Sequence, residues 1–203
     1  MKREDLRDFG SSQLRQIETS DNRISFWKNV LDSYDFNAGY LDDDYSWSTC
    51  ILALKAVSQG NFGVGSILVG SVGDVLEWGH NEVFNPYFRS DRHAEMVVVT
   101  QFEDLHRTAD EVGAFRLYSS LEPCPMCLTR LIVSGIGTIK YAAGDASGGM
   151  VHIMKKLPDE WLILSTERVF AQANCSARLS EIAKEIFLLT VEELDRKLER
   201  RCI

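Results

Sequence analysis

The sequence has few cysteines and no long apolar run, and each absence argues against a common class of protein. An odd and sparse set of five cysteines does not suggest a disulfide framework. No apolar run approaches the roughly 20 residues that a membrane-spanning helix needs. The first ten residues, MKREDLRDFG, are too charged for a secretory signal peptide. These absences predict a cytoplasmic protein that does not involve a membrane.

Positive charge is also scarce. The 22 Lys and Arg residues are outnumbered by 30 Asp and Glu residues, which gives a net charge of −8. An acidic surface repels phosphate on average, and a protein with an extended nucleic-acid footprint is usually basic. The charge therefore disfavours tRNA or another large nucleic acid as a partner. The basic stretch RKLERR, residues 196–201, is a candidate local patch, although a solvated helix face is the simpler interpretation.

What the sequence does have is enough apolar material for a sizeable core. Hydrophobic residues make up 45% of the 203 positions and charged residues 26%, as in ordinary globular domains. We expect an N-terminal extension over residues 1–44 and one compact domain over residues 45–203. Apolar residues recur at helical spacing between Ile24 and Leu31, so the extension is predicted to be helical and to pack on the domain.

Hydrophobic periodicity predicts several helices in the domain. The expected ranges are Ser46 to Gly60, Arg92 to about Leu105, Pro125 to Ser134, and an amphipathic stretch after residue 175. Ser46 and Asp91 are the expected N-caps of the first two helices. Thr190 and Glu193 are spaced as a capping box that opens a short terminal helix.

Strand patterns fall between these helices. The expected strands are Val64–Gly70, Val75–Gly79, Ala114–Leu121, Thr138–Ala143 and Trp161–Thr166. The first two form a hairpin around a glycine-containing turn. This order of elements predicts an α/β fold, a three-layer α/β/α sandwich around a central mixed five-stranded sheet.

Two cysteines stand three positions apart in the stretch SLEPCPMCLTR, residues 120–130. Alone, Cys124 and Cys127 fit a redox couple, half of a zinc site, or coincidence. A thioredoxin-like couple follows the first strand of its fold, whereas this pair follows a hairpin and two further elements, which disfavours redox chemistry. A four-cysteine zinc site needs a second close pair, and the other cysteines are scattered: Cys50, Cys175 and Cys202.

A zinc site with two thiolates needs a third ligand, for which histidine is the natural choice. Most lone histidines are surface or core residues, but His93 differs in context from His80, His106 and His152. It stands at the start of one predicted helix, and the cysteines stand at the start of the next. Two such helices on one side of a sheet bring their starts together beyond the strand ends.

Glu95 adds a possible proton carrier to this set. An imidazole and two thiolates fill three positions of tetrahedral Zn²⁺ and leave the fourth for water, as in catalytic zinc sites. Glu95 is two residues past His93, where its carboxylate can take a proton from that water and pass it on. Taken alone, Glu95 would be a first-turn glutamate stabilised by the helix dipole.

The complete pattern resembles a known family. His93-Ala94-Glu95 followed by Pro123-Cys124-Pro125-Met126-Cys127 resembles the signature of the cytidine and deoxycytidylate deaminase superfamily. The stretches FGVGSILV, SLEPCPMC and YAAGDASGG are similar to the branch that holds tRNA adenosine deaminases and guanine or other nucleobase deaminases. The resemblance covers about residues 46–190.

The resemblance implies a role for each matching position. It implies Zn²⁺ bound by His93, Cys124 and Cys127, and proton transfer by Glu95. Asn81 matches the substrate-binding asparagine, although a loop asparagine that caps its own turn is the simpler alternative. Ser120 matches a position whose backbone carbonyl lies near the leaving amine. Gly63 departs from the branch, which often has proline there, so the floor of the substrate pocket is expected to differ.

The implied reaction is hydrolytic deamination, with release of ammonia. The acidic composition favours a free nucleobase or nucleoside as substrate. The alternatives are a tRNA adenosine deaminase and a non-catalytic zinc-binding partner subunit, and Glu95 counts against the second. Phe84, Tyr87 and Phe88 would either stack on a base or fill the core. The resemblance also makes a homodimer the default assembly.

Overall fold

The computed structural model describes residues 1–106 and 111–202, and these ranges form one mixed sheet between two layers of helices. The strands lie in the order β2-β1-β3-β4-β5. Strand β1 is antiparallel to β2 and β3, whereas β3, β4 and β5 are parallel. Their bounds are β1 Gly65–Val69, β2 Val75–His80, β3 Arg116–Leu121, β4 Thr138–Ala143 and β5 Val169–Gln172. The predicted α/β fold with a central mixed five-stranded sheet is confirmed.

The α-helices of the described residues are α1 Leu6–Arg15, α2 Asn22–Asp32, α3 Asp43–Ser58, α4 Ala94–Leu105, α5 Pro125–Ser134, α6 Asp159–Ser165, α7 Ala177–Leu188 and α8 Val191–Glu199. Helices α3 and α7 cover one face of the sheet, and α4 and α5 cover the other. None of the helices in the described ranges has the length and apolar composition that crossing a bilayer requires.

The strands divide their side chains between the two helical layers. Successive residues of a strand point to opposite faces. Ile67 and Tyr118 accordingly pack with Leu52 of α3, whereas Leu68 and Leu117 pack on the α4–α5 side. This alternation produces two cores, one on each face of the same sheet.

The helices that begin at the site have clear local causes. Helix α5 starts with Pro125, whose fixed φ suits the first helical position. It ends at Gly135, whose φ of 84° lies in the left-handed region that glycine adopts without strain. The stretch 97–99 of α4 is all valine, a poor helix former, and all three side chains are buried. Packing therefore holds α4 in a helix against its intrinsic preference.

The N-terminal residues pack on the outside of α3, and Met1 exchanges backbone hydrogen bonds with Val75, the first residue of β2. Helices α1 and α2 both contact α3. Trp47 is fully buried between them and donates its indole N–H to the Leu31 carbonyl at 2.8 Å. Gly10 permits the close approach of α1, because a Cβ there would lie 2.2 Å from the Trp47 ring. The boundary between residues 44 and 45 stays a prediction.

The strand predicted at Trp161–Thr166 is wrong, because this stretch lies in helix α6 and the turn that follows it. An apolar run this short fits a helix or a strand by periodicity alone. Pro158 precedes the helix, and two acidic residues lie in its first turn. Both features favour the start of a helix. The fifth strand is β5, an edge strand with exposed or half-buried side chains, so it lacks the buried alternation that identifies a strand.

Neither Ser46 nor Thr190 forms its predicted cap. Ser46 lies inside α3, which begins three residues earlier at Asp43. Thr190 precedes α8 as predicted, but its side chain makes no cap hydrogen bond. The Thr190 hydroxyl instead donates to the Asn61 carbonyl at 3.2 Å. This long-range bond links α8 to the segment before β1 and replaces the local capping box.

Candidate active site

Three sulfur and nitrogen donors meet at the starts of two helices. His93 is the N-cap residue of α4, Cys124 is the N-cap residue of α5, and Cys127 lies in the first turn of α5. Asp91 was the predicted N-cap of α4, and that prediction is wrong. Its carboxylate forms an ion pair with Arg89 at 2.7 Å, and the helix begins three residues later.

The donor atoms are spaced for a tetrahedral metal ion. One donor atom from each of His93, Cys124 and Cys127 lies within 4.8 Å of the others. The distance from His93 Nδ1 to Cys124 Sγ is 3.5 Å. Two ligands at about 2.0 and 2.3 Å from a tetrahedral zinc ion are about 3.5 Å apart. The imidazole and the two sulfurs therefore fit Zn²⁺ in both chemistry and spacing.

One of the two thiols is strongly acidic. A hydrogen bond with Cys127 is the largest cause that lowers the pKa of Cys124, and His93 lowers it further. Burial acts in the opposite direction, and the resulting pKa is about 4. The same bond and burial raise the pKa of Cys127. Cys124 is therefore the thiolate of the pair, and Cys127 keeps its proton. Because thiolate is the ligand form, metal binding here releases that proton.

Glu95 lies beside the donors and is buried. Its Oε2 accepts a hydrogen bond from Cys127 Sγ at 3.4 Å, and its Oε1 accepts one from the Ser119 hydroxyl at 3.1 Å. Burial is the main cause that raises the pKa of Glu95, and the Cys124 thiolate adds to it. Sequence reasoning missed Ser119, although its side chain must point to the opposite face from that of its neighbour Ser120.

Asn81 is brought to the same place. It follows β2, is 2% exposed, and lines a cavity together with His93 and Glu95. Its backbone N–H donates to the Val64 carbonyl at 2.9 Å, and its side-chain Oδ1 accepts from the Val83 N–H at 3.1 Å. The carbonyl of the Asn81 side chain thus stabilises its own turn. The amide nitrogen Nδ2 is the group that Asn81 can offer to a ligand.

Ser120 has a different position. It is fully buried, and its hydroxyl accepts a hydrogen bond from the Gly65 N–H at 3.1 Å. Ser120 is not among the described residues that line the cavity. Its side chain therefore ties β3 to β1, and a substrate contact by its backbone carbonyl stays a prediction.

The cavity that exposes His93, Glu95 and Cys124 has a volume of about 220 Å³. Apolar side chains from several elements line it, and two of the lining residues come from the C-terminal helix α8. The apolar lining is Phe62, Val64, Leu121, Phe187 and Leu198. The second residue from α8, Asp195, adds a carboxylate. Sequence reasoning missed the contribution of α8, because no local motif marks Asp195 or Leu198.

A second cavity of about 700 Å³ adjoins the first. The two cavities share lining residues, among them Glu122, Asp145 and Asp195. His152 lines only the larger one, and its Nδ1 lies 2.9 Å from Glu122 Oε1. Burial acts to raise the pKa of Glu122, but hydrogen bonds from the N–H groups of His152 and Asp145 outweigh it and lower that pKa. Glu122 is therefore ionised and accepts from His152 Nδ1–H.

Phe84 and Phe88, in the loop before His93, pack in the core, and neither they nor Tyr87 are among the described residues that line the metal cavity. Phe84 packs against Phe62 and Phe88, with ring centroids 5.9 and 5.5 Å apart. Tyr87 is 63% exposed. Arg201, from the basic C-terminal stretch, stacks on Phe88 at 3.6 Å. Phe84 and Phe88 therefore fill the core, as the second of the two predicted alternatives has it.

Comparisons with known proteins agree with this geometry. Residues 42–143 match the family model described as the cytidine and deoxycytidylate deaminase zinc-binding region. The tRNA-specific adenosine deaminase of Bacillus subtilis (strain 168) is 31% identical over 137 residues, which cover 66% of this chain and 83% of that protein. The prediction of zinc is confirmed at the level of the family, because the residues of this chain that match the zinc-binding region include His93, Cys124 and Cys127.

Solved structures share the fold at lower identity. A structure of tRNA:A34 deaminases has a TM-score of 0.54 and 22% identity, and the match covers 68% of this chain and 94% of that one. A guanine deaminase from Nitrosomonas europaea has a TM-score of 0.59 and 15% identity, with 84% and 94% covered. With a family model that spans the donor residues and a relative at 31% identity, the chain belongs to the cytidine and deoxycytidylate deaminase family.

Proposed function

We propose that this deaminase acts on a free nucleobase or nucleoside, replacing its exocyclic amine with an oxygen from water and releasing ammonia. The observation that carries the proposal is the meeting of His93, Cys124 and Cys127 with the Glu95 carboxylate at the floor of a cavity of about 220 Å³. That volume lies below the roughly 300–1,000 Å³ of sites for drug-sized ligands. A flat heterocycle is the kind of group that such a cavity accommodates.

His93, Cys124 and Cys127 would hold the metal ion. When bound there, Zn²⁺ supplies a Lewis acid that lowers the pKa of a water molecule towards about 7. The helix starts at which these donors lie favour the thiolate form. The metal ligands thus come from two helix starts, and the adjacent Glu95 is left available for proton transfer.

Glu95 would move the protons of the reaction. Its carboxylate would accept one proton from the attacking water and deliver it to a ring nitrogen, and would then take the second proton from the added oxygen and deliver it to the departing amine. Water and the amine substrate thereby become the carbonyl product and ammonia, with no redox change. The Ser119 hydroxyl holds Oε1 of Glu95 at 3.1 Å, which fixes the carboxylate while Oε2 faces the metal ligands.

Asn81 and the apolar walls would orient the base. Asn81 Nδ2 can donate to a ring acceptor or to a sugar hydroxyl, because its Oδ1 is engaged by the Val83 N–H. Val64 and Leu121 line the same cavity and exclude water from around the reacting carbon. We keep a contact from the Ser120 carbonyl to the leaving amine, and a homodimeric assembly, as parts of the proposal.

A second candidate is adenosine in tRNA. Its support is the Bacillus subtilis relative, named a tRNA-specific adenosine deaminase, at 31% identity. The net charge of −8 opposes it, because RNA binding relies on contacts to phosphate. A non-catalytic zinc-binding subunit is a weaker alternative, since it has no need of the buried Glu95 beside the metal ligands.

The test is an ammonia-release screen of the zinc-loaded chain. Its substrates are cytosine, adenine, guanine, their nucleosides and nucleotides, and a tRNA stem-loop that presents an unpaired adenosine. We expect a base or nucleoside to have a kcat/KM at least about tenfold above that of the stem-loop. Turnover of the stem-loop alone, with an affinity that falls steeply as salt rises, would establish the tRNA function instead.

A further inference from the structure

The larger cavity beside the metal cavity has the position of a second binding site. The two cavities have volumes of about 220 and 700 Å³ and share Leu121, Glu122 and Asp195 in their lining. Because the two cavities share these walls, a base in the smaller one can place a ring substituent in the larger one. The polar groups of the larger cavity therefore decide which substituent is accepted.

Two of the carboxylates in this lining are engaged within the protein. Glu122 accepts hydrogen bonds from the backbone N–H groups of Asp145 and His152, at 3.0 and 2.7 Å, and from His152 Nδ1. Asp145 accepts from the N–H groups of Ser147 and Gly148, each at 3.0 Å. These bonds shape the loop after β4 and engage both oxygens of Glu122 and Oδ1 of Asp145.

His152 has one ring nitrogen engaged and one available. Both oxygens of Glu122 accept backbone N–H groups, Oε2 from Asp145 and Oε1 from His152, so the carboxylate acts as the acceptor and Nδ1 of His152, 2.9 Å from Oε1, donates. In the neutral imidazole, Nε2 is then an acceptor. The His152 side chain is 38% exposed and lines the larger cavity. The bond to Glu122 fixes the ring, as a carboxylate behind an imidazole fixes a metal ligand or a catalytic base.

We propose that the larger cavity binds the sugar of a nucleoside, with His152 Nε2 accepting a hydrogen bond from a sugar hydroxyl. This inference rests on the proposed function and narrows its substrate to nucleosides over free bases. A hydroxyl suits the site because it donates to Nε2, and it can also donate to the Asp195 carboxylate. A phosphate group suits it less, because the described lining has three carboxylates, Glu122, Asp145 and Asp195, against the one ammonium group of Lys184.

The test compares His152→Asn with the wild-type chain. The asparagine amide can keep the donor to Glu122 while it removes the acceptor at Nε2. We expect kcat/KM for the best nucleoside to fall about 3- to 10-fold, the effect of one hydrogen bond, with turnover of the matching free base unchanged. Lys155→Ala, an exposed change in the same short helix 151–156, is the control and should leave both substrates unaffected.

Several outcomes would overturn the sugar site. An equal loss on base and nucleoside would make His152 a structural residue, and no loss on the nucleoside would remove it from the site. An effect confined to the tRNA stem-loop would assign the contact to RNA and overturn the nucleoside preference. If the wild-type chain deaminates only free bases, the proposed function stands and the sugar site falls.

Binding measurements separate this inference from the failure of catalysis. Calorimetry with the zinc-loaded Glu95→Gln chain measures nucleoside affinity without turnover. Weaker nucleoside binding in Glu95→Gln/His152→Asn, with base binding unchanged, supports the sugar site even if no substrate is deaminated. Equal nucleoside affinity in the two chains contradicts it.

Discussion

The cavity has a metal end, formed around His93, Glu95 and the cysteines, and an outer end, formed by residues of α8. The two ends differ in burial and packing. Glu95 and Cys127 are 4% and 1% exposed, and they lie on helices that pack against the central sheet. The outer end takes Asp195 and Leu198 from α8, a helix of which only Leu194 is buried. A rigid interior thus holds the proposed metal ligands and the proposed proton carrier, and a lightly packed helix lines the outer part of the cavity. Changes at the two ends are expected to have different kinetic effects.

The largest effect is expected from a change at the metal end. Glu95→Gln keeps the volume of the side chain and removes its capacity to accept a proton. Because general acid–base catalysis contributes about 10²- to 10⁴-fold, kcat should fall by that amount while the zinc content stays at one ion per chain. Steady-state kinetics and elemental analysis of the same preparation measure both quantities. A kcat near that of the wild-type chain would remove the proton-transfer role.

A smaller effect at the metal end is expected from Ser119→Ala. This change removes the hydrogen bond to Glu95 Oε1 and leaves the carboxylate less well oriented. The loss of one hydrogen bond to a charged group is worth about 1.5–3 kcal/mol, so kcat should fall roughly 10- to 150-fold with KM little changed. Ser120→Ala is the matched control one residue away. A larger fall in kcat for the control would reverse the assignment of these two serines.

Sequence patterns predicted the metal end well, for a physical reason. Helix α5 was predicted at its observed bounds, because Pro125, Gly135 and a cysteine pair mark its start and end within ten residues. Strand β4 was also predicted at its observed bounds. His93 and the cysteines were predicted as one site, because donor spacing and helix starts are local features.

The outer end could not be predicted in the same way. The stretch 161–166 was predicted as a strand and is mostly helix, because its apolar run carries no decisive period. Asp195 and Leu198 reach the cavity because α8 packs on Phe187 and Phe62. Phe62 lies more than a hundred residues before α8 in the chain. The orientation of the His152 ring depends on a bond to Glu122, and no spacing rule relates these two residues. Long-range packing decides such contacts, and a single sequence does not display it.

An effect on binding is expected at the outer end. Leu198→Ala enlarges the cavity and removes apolar contact with the base. Loss of roughly 1 kcal/mol or more of such contact corresponds to a rise in KM of about 5-fold or more, with kcat within about twofold of the wild-type value. A fall in kcat greater than tenfold would show that α8 also positions the catalytic groups, and the contrast between the two ends would then fail.

The smallest effect is expected from Tyr87→Ala. This side chain is 63% exposed and is not among the described residues that line the metal cavity. Surface changes of this kind shift stability by about 0.5 kcal/mol or less, and kcat/KM for a nucleoside should stay within about twofold. A large loss with the tRNA stem-loop alone would indicate that the loop before His93 contacts RNA.

The central claim is that His93, Cys124 and Cys127 hold one zinc ion, and X-ray absorption at the zinc edge of the purified chain tests it most directly. The geometry predicts one zinc per chain with two sulfur ligands at about 2.3 Å and nitrogen or oxygen ligands at about 2.0 Å. Cys124→Ser should lose a sulfur ligand or the ion, whereas Cys175→Ser, a cysteine outside the donor set, should change nothing. A zinc shell of nitrogen and oxygen alone, or full zinc and sulfur content in Cys124→Ser, would contradict the account.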